Sequence, residues 1–225
     1  MNFYVSITTI KKYKQALDLL LCSLPNEWKN KYILIYENEE KEGHFIHEDG
    51  HIEVSIKNNI YDYGNWVGIG RLIEKEVIPK DSWFLFIHDT CQFLGEKCVK
   101  KTFDILDKLE NTDIDLLWLG NYGQCNICFI REPAIKYGYE IYKDIMNMTK
   151  EEAIEYEWND SHPLSPKNFK INHKCIDIPS LHLGKRRVYS DIKRDVLLYQ
   201  SIQMEKYYVN ISKNTDEREQ HPCMP

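Results

Sequence analysis

The sequence predicts an α/β fold: a mixed, mainly parallel sheet flanked by helices. Three observations carry that prediction. Tyr32–Tyr36 and Trp83–Ile87 are unbroken apolar runs, rich in β-branched and aromatic residues and the length of a strand buried on both faces. Each run stops at a polar, acidic step: Glu37-Asn38-Glu39-Glu40 after one, His88-Asp89-Thr90 after the other. Stretches with helical spacing separate the runs, which gives the alternation expected when crossovers join parallel strands.

In order, Asn2–Thr9 reads as a first strand ending in hydroxyl residues. Residues 11–24 place Tyr13, Ala16, Leu17, Leu19, Leu20 and Leu24 near helical spacing until Pro25 and Asn26 break the pattern. The Tyr32–Tyr36 strand follows, then a loop over 41–50 rich in His, Gly and Asp. His51–Ile56 alternates as a third strand, and 65–76 form a helix with Trp66, Ile69, Leu72 and Ile73 inward. Pro79-Lys80-Asp81-Ser82 punctuates the approach to the Trp83–Ile87 strand. Residues 97–109 read as a helix presenting Val99, Phe103, Leu106 and Leu109. Strands are expected at 115–120 and 126–130, and helices at 132–147, 149–158 and 191–208. The last tract is polar from 211 onward, and 159–180, with three prolines, reads as loop. Thr149 with Glu152 fits a capping box.

At 225 residues and 43% hydrophobic, the chain suits a single domain over 1–210 with a polar tail at 211–225. Within it, 1–130 and 131–210 form two functional halves. A net charge of −6 without a long basic block argues against a non-specific nucleic-acid binder. No apolar run reaches membrane-spanning length, and the first residues lack a signal-peptide layout, so the expectation is a soluble, cytoplasmic protein. Seven scattered cysteines include Cys125 and Cys128 at metal-type spacing, but no second Cys or His pair matches them; a structural zinc of that kind is rejected.

Asp89 stands just past a central strand, where open α/β sheets bind ligands. A carboxylate there suits a divalent metal on a phosphate, or simply caps the next turn. The order of elements over 1–130 resembles the GT-A fold of nucleotide-sugar glycosyltransferases. Its first strand ends in Ser6-Ile7-Thr8-Thr9 and its second in Tyr36-Glu37. An Asn58-Asn59 loop follows the third, and the fourth delivers a carboxylate after an aromatic run. His88-Asp89-Thr90 stands where that family carries Asp-x-Asp, and it resembles the His-Asp-Thr variants in small glycosyltransferases of large DNA viruses and some bacteria. If the chain is viral, it acts in the host cytoplasm.

The resemblance implies transfer of a sugar from a nucleotide-diphosphate donor (a UDP- or GDP-sugar) to a hydroxyl of a glycan or glycoprotein acceptor, assisted by Mn²⁺ or Mg²⁺. It assigns Thr8, Thr9, Tyr36, Glu37 and Asn59 to the nucleoside, and Asp89 with His182 to the metal. Lys185, Arg186 and Arg187 go to the phosphates, and Glu157 or Asp160 is the acceptor-side base; Arg71, on the 65–76 helix, faces the same region within reach of a phosphate. Each has a plainer alternative: Tyr36 a half-buried core residue, Arg71 a solvated arginine, 185–187 a solvated basic turn, the acids a charged helix end. One carboxylate stands where the family has two, so a catalytically inactive binding module of the same fold stays open. A nucleotidyltransferase also places an Asp at a strand end, but Ile10-Lys11-Lys12 replaces its Gly-rich phosphate loop.

Overall fold

The structure is a computed structural model that describes residues 1–58, 60, 63–120, 127–149, 151–152, 155, 171–177, 180–187 and 193–207, with backbone alone at 186, 187, 193 and 194. The strands are β1 (Phe3–Ile10), β2 (Tyr32–Glu37), β3 (Gly43–Ile46), β4 (Ile52–Ser55), β5 (Trp83–His88), β6 (Cys91–Phe93), β7 (Leu116–Trp118), β8 (Cys128–Arg131), β9 (His173–Cys175), β10 (Leu181–Arg187), β11 (Lys193–Tyr199) and β12 (Met204–Tyr207). The helices are α1 (Lys14–Ser23), α2 (Gly64–Glu74), α3 (Lys97–Glu110) and α4 (Glu132–Tyr142).

An eight-stranded sheet runs β3-β4-β2-β1-β5-β8-β7-β9. Its centre, β4-β2-β1-β5, is wholly parallel; β3 and β8 pair antiparallel with their neighbours, and β9 is parallel to β7. The mixed, mainly parallel sheet is the one the sequence predicts. Period-two alternation sends β1 into two cores at once. Phe3, Val5 and Ile7 pack with Leu17, Leu20 and Leu106 on the α1–α3 face. Ile33, Ile35, Phe84 and Phe86 pack with α2 and α4 on the other face. There the two helices approach closely because of two glycines. A Cβ on Gly70 would lie 2.3 Å from the Tyr139 ring, and one on Gly138 2.3 Å from the Trp66 ring.

Four expectations are corrected. The helix read over 191–208 is instead the hairpin of β11 and β12, because Gln203 takes a left-handed φ of 50° and reverses the chain. The 159–180 loop contains β9, which pairs parallel with β7, and β10-β11-β12-β6 form a second sheet of four strands. The 41–50 loop contains β3, an edge strand with all four residues exposed. Finally α3 buries Cys98, Thr102, Leu106 and Leu109, a face one residue round from the one expected, with Val99 and Phe103 half-buried at its flank. α4 ends at Tyr142 and continues as a 3-10 turn over Lys143–Asn147. The capping box forms as read: Thr149 N–H donates to Glu152 Oε2 at 2.7 Å, and Glu152 N–H to Thr149 Oγ1 at 3.2 Å.

Candidate active site

The parallel register of β1 and β5 sets Thr8 level with His88, so the next step along both chains brings Thr9 beside Asp89. Thr9 Oγ1 donates to Asp89 Oδ2 at 2.7 Å, and Asp89 N–H donates to the Thr8 carbonyl at 3.2 Å. Asp89 is only 5% exposed. Burial pushes its pKa up to about 6, against the Thr9 hydrogen bond, the charges of His88 and Lys206, and the Thr90 N–H. The carboxylate is therefore held at the carboxyl edge of the sheet at a cost in solvation that its neighbours offset only in part.

Lys206 is the residue the sequence reading missed. β12 pairs with β6 so that Lys206 lies opposite Cys91, two residues past Asp89, and it is 7% exposed. Its charge acts on both Asp89 and Cys91; burial nevertheless drives the Cys91 thiol up to about 12. The available signal was Gln200-Ser201-Ile202-Gln203, a turn between Tyr199 and Met204, which helical spacing across 191–208 obscured.

On the α2 face, Glu37 at the end of β2 is 3% exposed and Thr8 is 5% exposed. Gly64 opens α2 directly against them: a Cβ there would fall 2.1 Å from Glu37 Oε1 and 2.9 Å from Thr8 Cγ2. Asn65 ties the helix start to the sheet, accepting from Ser6 Oγ at 2.7 Å and donating to the Ile87 carbonyl at 3.5 Å. The strand-end residues thus share one edge but divide between its faces. Thr9, Tyr36 and Asp89 turn toward α1, while Thr8 and Glu37 turn toward α2. Tyr36 is half-buried against the α1-side core, and burial, then Glu53, Glu39 and Asp18, raise its hydroxyl pKa.

Three expected residues sit apart from this edge. Arg71 lies seven residues into α2, about 10 Å along the axis from Gly64, where it pairs with Glu42 at 3.0 Å and touches Met146 Sδ. His182, Leu197, Lys206 and Cys91 form one row across the second sheet. Three strand spacings, about 14 Å, therefore separate His182 from Cys91, and His182 faces Asp195 at 3.5 Å instead. Lys185, past a bulge at Gly184, is exposed and pairs in register with Asp195. For Arg186 the backbone alone is described, opposite Arg194. Asn59, Glu157 and Asp160 lie outside the described residues.

No family model matches the chain, and neither does any curated protein sequence. Among solved structures the chain is similar to a glycosyltransferase involved in the glycosylation of the major capsid of PBCV-1. That match has a TM-score of 0.46 and 14% identity, over 79% of this chain and 82% of that one.

Proposed function

We propose that the chain is a glycosyltransferase that moves a sugar from a nucleotide-diphosphate donor to a hydroxyl of a glycan or glycoprotein. The observation that carries the reading is the Asp89–Thr9 pair, a buried carboxylate clamped at the carboxyl end of the central parallel strands. Its donor set fits Mn²⁺ or Mg²⁺ in minimal form: Asp89 as the one protein carboxylate, with phosphate oxygens and water completing the shell. The desolvation that raises the Asp89 pKa is a penalty a neighbouring cation relieves. Bound there, the ion would neutralise the departing diphosphate.

The chain's own residues would do the rest. Lys206, beside Asp89, adds positive charge at the same edge, toward the leaving diphosphate. Thr8, Thr9, Tyr36, Glu37 and Asn59 would hold the nucleoside. Glu157 or Asp160 would take the acceptor proton as the acceptor oxygen bonds the anomeric carbon and the carbon–diphosphate bond breaks. His182, Lys185 and Arg186 on the outer strand β10, and Arg71 beside Glu42, stand too far from Asp89 to take part.

Calorimetry with UDP- and GDP-sugars tests it. The wild type should bind one of them more tightly with Mn²⁺ present, and Asp89→Asn should lose that Mn²⁺-dependent gain while folding normally. Equal affinity in both proteins removes Asp89 from the site. Binding without transfer to any acceptor would identify a binding module instead.

A further inference from the structure

We propose that the β3–β4 hairpin binds one zinc-type divalent ion through His47, His51 and Glu53. This site is separate from the Asp89 edge. His51 stacks on Tyr32 at 4.7 Å, and Tyr32 is level with Val5, four residues before Thr9. That places the cluster near the amino end of the parallel strands, about 13 Å along the sheet from Thr9.

The donors already converge. Glu53 Oε1 lies 3.4 Å from His47 Nε2 and 3.9 Å from His51 Nε2. One donor atom from each residue can be chosen so that all three lie within 4.8 Å of one another. Donors about 2.0–2.2 Å from a tetrahedral ion stand about 3.3–3.6 Å apart, so the spacing suits an ion once the His47 ring turns out of its stack on His51 to aim its in-plane Nε2 lone pair at it. His47 Nε2 is buried and makes no hydrogen bond among the described residues. His51 Nδ1 lies 2.5 Å from Asp49 Oδ1. A proton on Nδ1 donated to that carboxylate leaves the Nε2 lone pair facing Glu53, which is how a carboxylate behind a ligating imidazole fixes its tautomer.

The rings around the cluster pack against one another, with His47 the outer member of the stack. His47 and His51 stack with centroids 3.8 Å apart at 12°, Tyr32 covers the other side of His51, and Phe45 meets His47 edge-on at 4.7 Å. The turn is closed by Gly50 N–H to the His47 carbonyl and His47 N–H to the His51 carbonyl, both at 2.9 Å. Gly50 supplies the left-handed φ of 94° that the turn requires. His47 and Glu53 keep side-chain exposures of 31% and 35%, so an ion can enter from solvent.

Two imidazoles and one carboxylate select zinc, copper or nickel over magnesium, and three protein ligands leave a fourth position for water. The ion would clasp an edge hairpin whose outer strand has only four residues, all exposed, Phe45 and Ile46 among them. The function of such a site is to hold the sheet edge in register.

The test uses the full chain, stripped with a chelator and titrated with ZnCl₂ by calorimetry. One zinc should bind per chain, and excess Mg²⁺ should not displace it. His47→Ala and Glu53→Gln should each weaken binding by more than about 100-fold, and Asp49→Asn by about 10–100-fold. Asp89→Asn should bind zinc as the wild type does. Unaltered zinc affinity in His47→Ala and Glu53→Gln, or loss of zinc in Asp89→Asn, overturns the assignment. If circular dichroism finds a hairpin variant unfolded, Co²⁺ added to the wild type decides. Intense tetrahedral d–d bands support the site, whereas a weak octahedral spectrum or none refutes it and leaves a proton shared between His51 and its two carboxylates.

Discussion

At Asp89 a carboxylate with 5% exposure carries a folded-state pKa of about 6 against an ordinary value of 3.8. Between those values the folded chain holds a proton that the unfolded chain has released. Stability therefore falls as pH rises through that window, the reverse of an ion-paired carboxylate. The displacement corresponds to on the order of 3 kcal/mol at full ionisation. In chelator, urea denaturation of the wild type should lose stability from pH 4.5 to 7.5 relative to Asp89→Asn. Parallel pH profiles for the two proteins would show that Asp89 is better solvated than its surroundings imply. Adding Mn²⁺ with a nucleoside diphosphate should narrow the gap if that carboxylate meets the cation. The sequence picked out Asp89 because a rigid apolar run ends two residues before it. It gave no access to Lys206, whose approach depends on a strand pairing more than a hundred positions away in the chain.

Elements were legible wherever local pattern and tertiary demand agree. The α2 face of Trp66, Ile69 and Leu72 is the one its spacing predicts. What spacing does not reveal is why Gly70 and Gly138 are needed. Each sits where a methyl group would enter the facing ring at 2.3 Å, Tyr139 in one case and Trp66 in the other. Gly70→Ala and Gly138→Ala should each destabilise by about 1–3 kcal/mol through overpacking of the α2–α4 contact. Gly43→Ala, with nothing within 4 Å of the added carbon, should stay within about 0.5 kcal/mol. Thermal melts of the three variants check this; equal shifts in all would mean the helices part without cost. The hairpin of β11 and β12 shows the converse. Val196, Leu197, Tyr199 and Ile202 satisfy either a helical or a strand reading over a span this short, and the choice falls to the partner. β6 offered an edge, and Gln203 could take the left-handed turn.

Across the whole molecule, β1 is the organising strand, paired on both sides and buried against helices on both faces. The second sheet lies on the α1 side: Cys91, Phe93, Leu197, Tyr199 and Met204 join that core, and Phe93 N–H donates to Ser23 Oγ at the end of α1. β10 is the outer strand of that sheet, with Leu181 48% exposed. Native-state hydrogen exchange should therefore find the slowest amides in β1, β2 and β5 and markedly faster ones in β10. Equal protection in β10 and β1 would contradict this layering.

The sequence by itself determined the class of fold, the parallel centre and the strand-end position of Asp89. Apolar runs of fixed length and the polar steps that end them are local properties, and local properties set where a buried strand begins and stops. Only the tertiary structure decided which strand ends meet. It alternated Thr8 and Glu37 onto one face and Thr9, Tyr36 and Asp89 onto the other, and it brought Lys206 to Asp89 while leaving His182 three strands away. It likewise turned a His-rich loop into a hairpin whose donors converge on Glu53. Register and strand order arise from pairing between distant segments, where backbone hydrogen bonds and shared burial choose the neighbour, and no short window of sequence contains both partners.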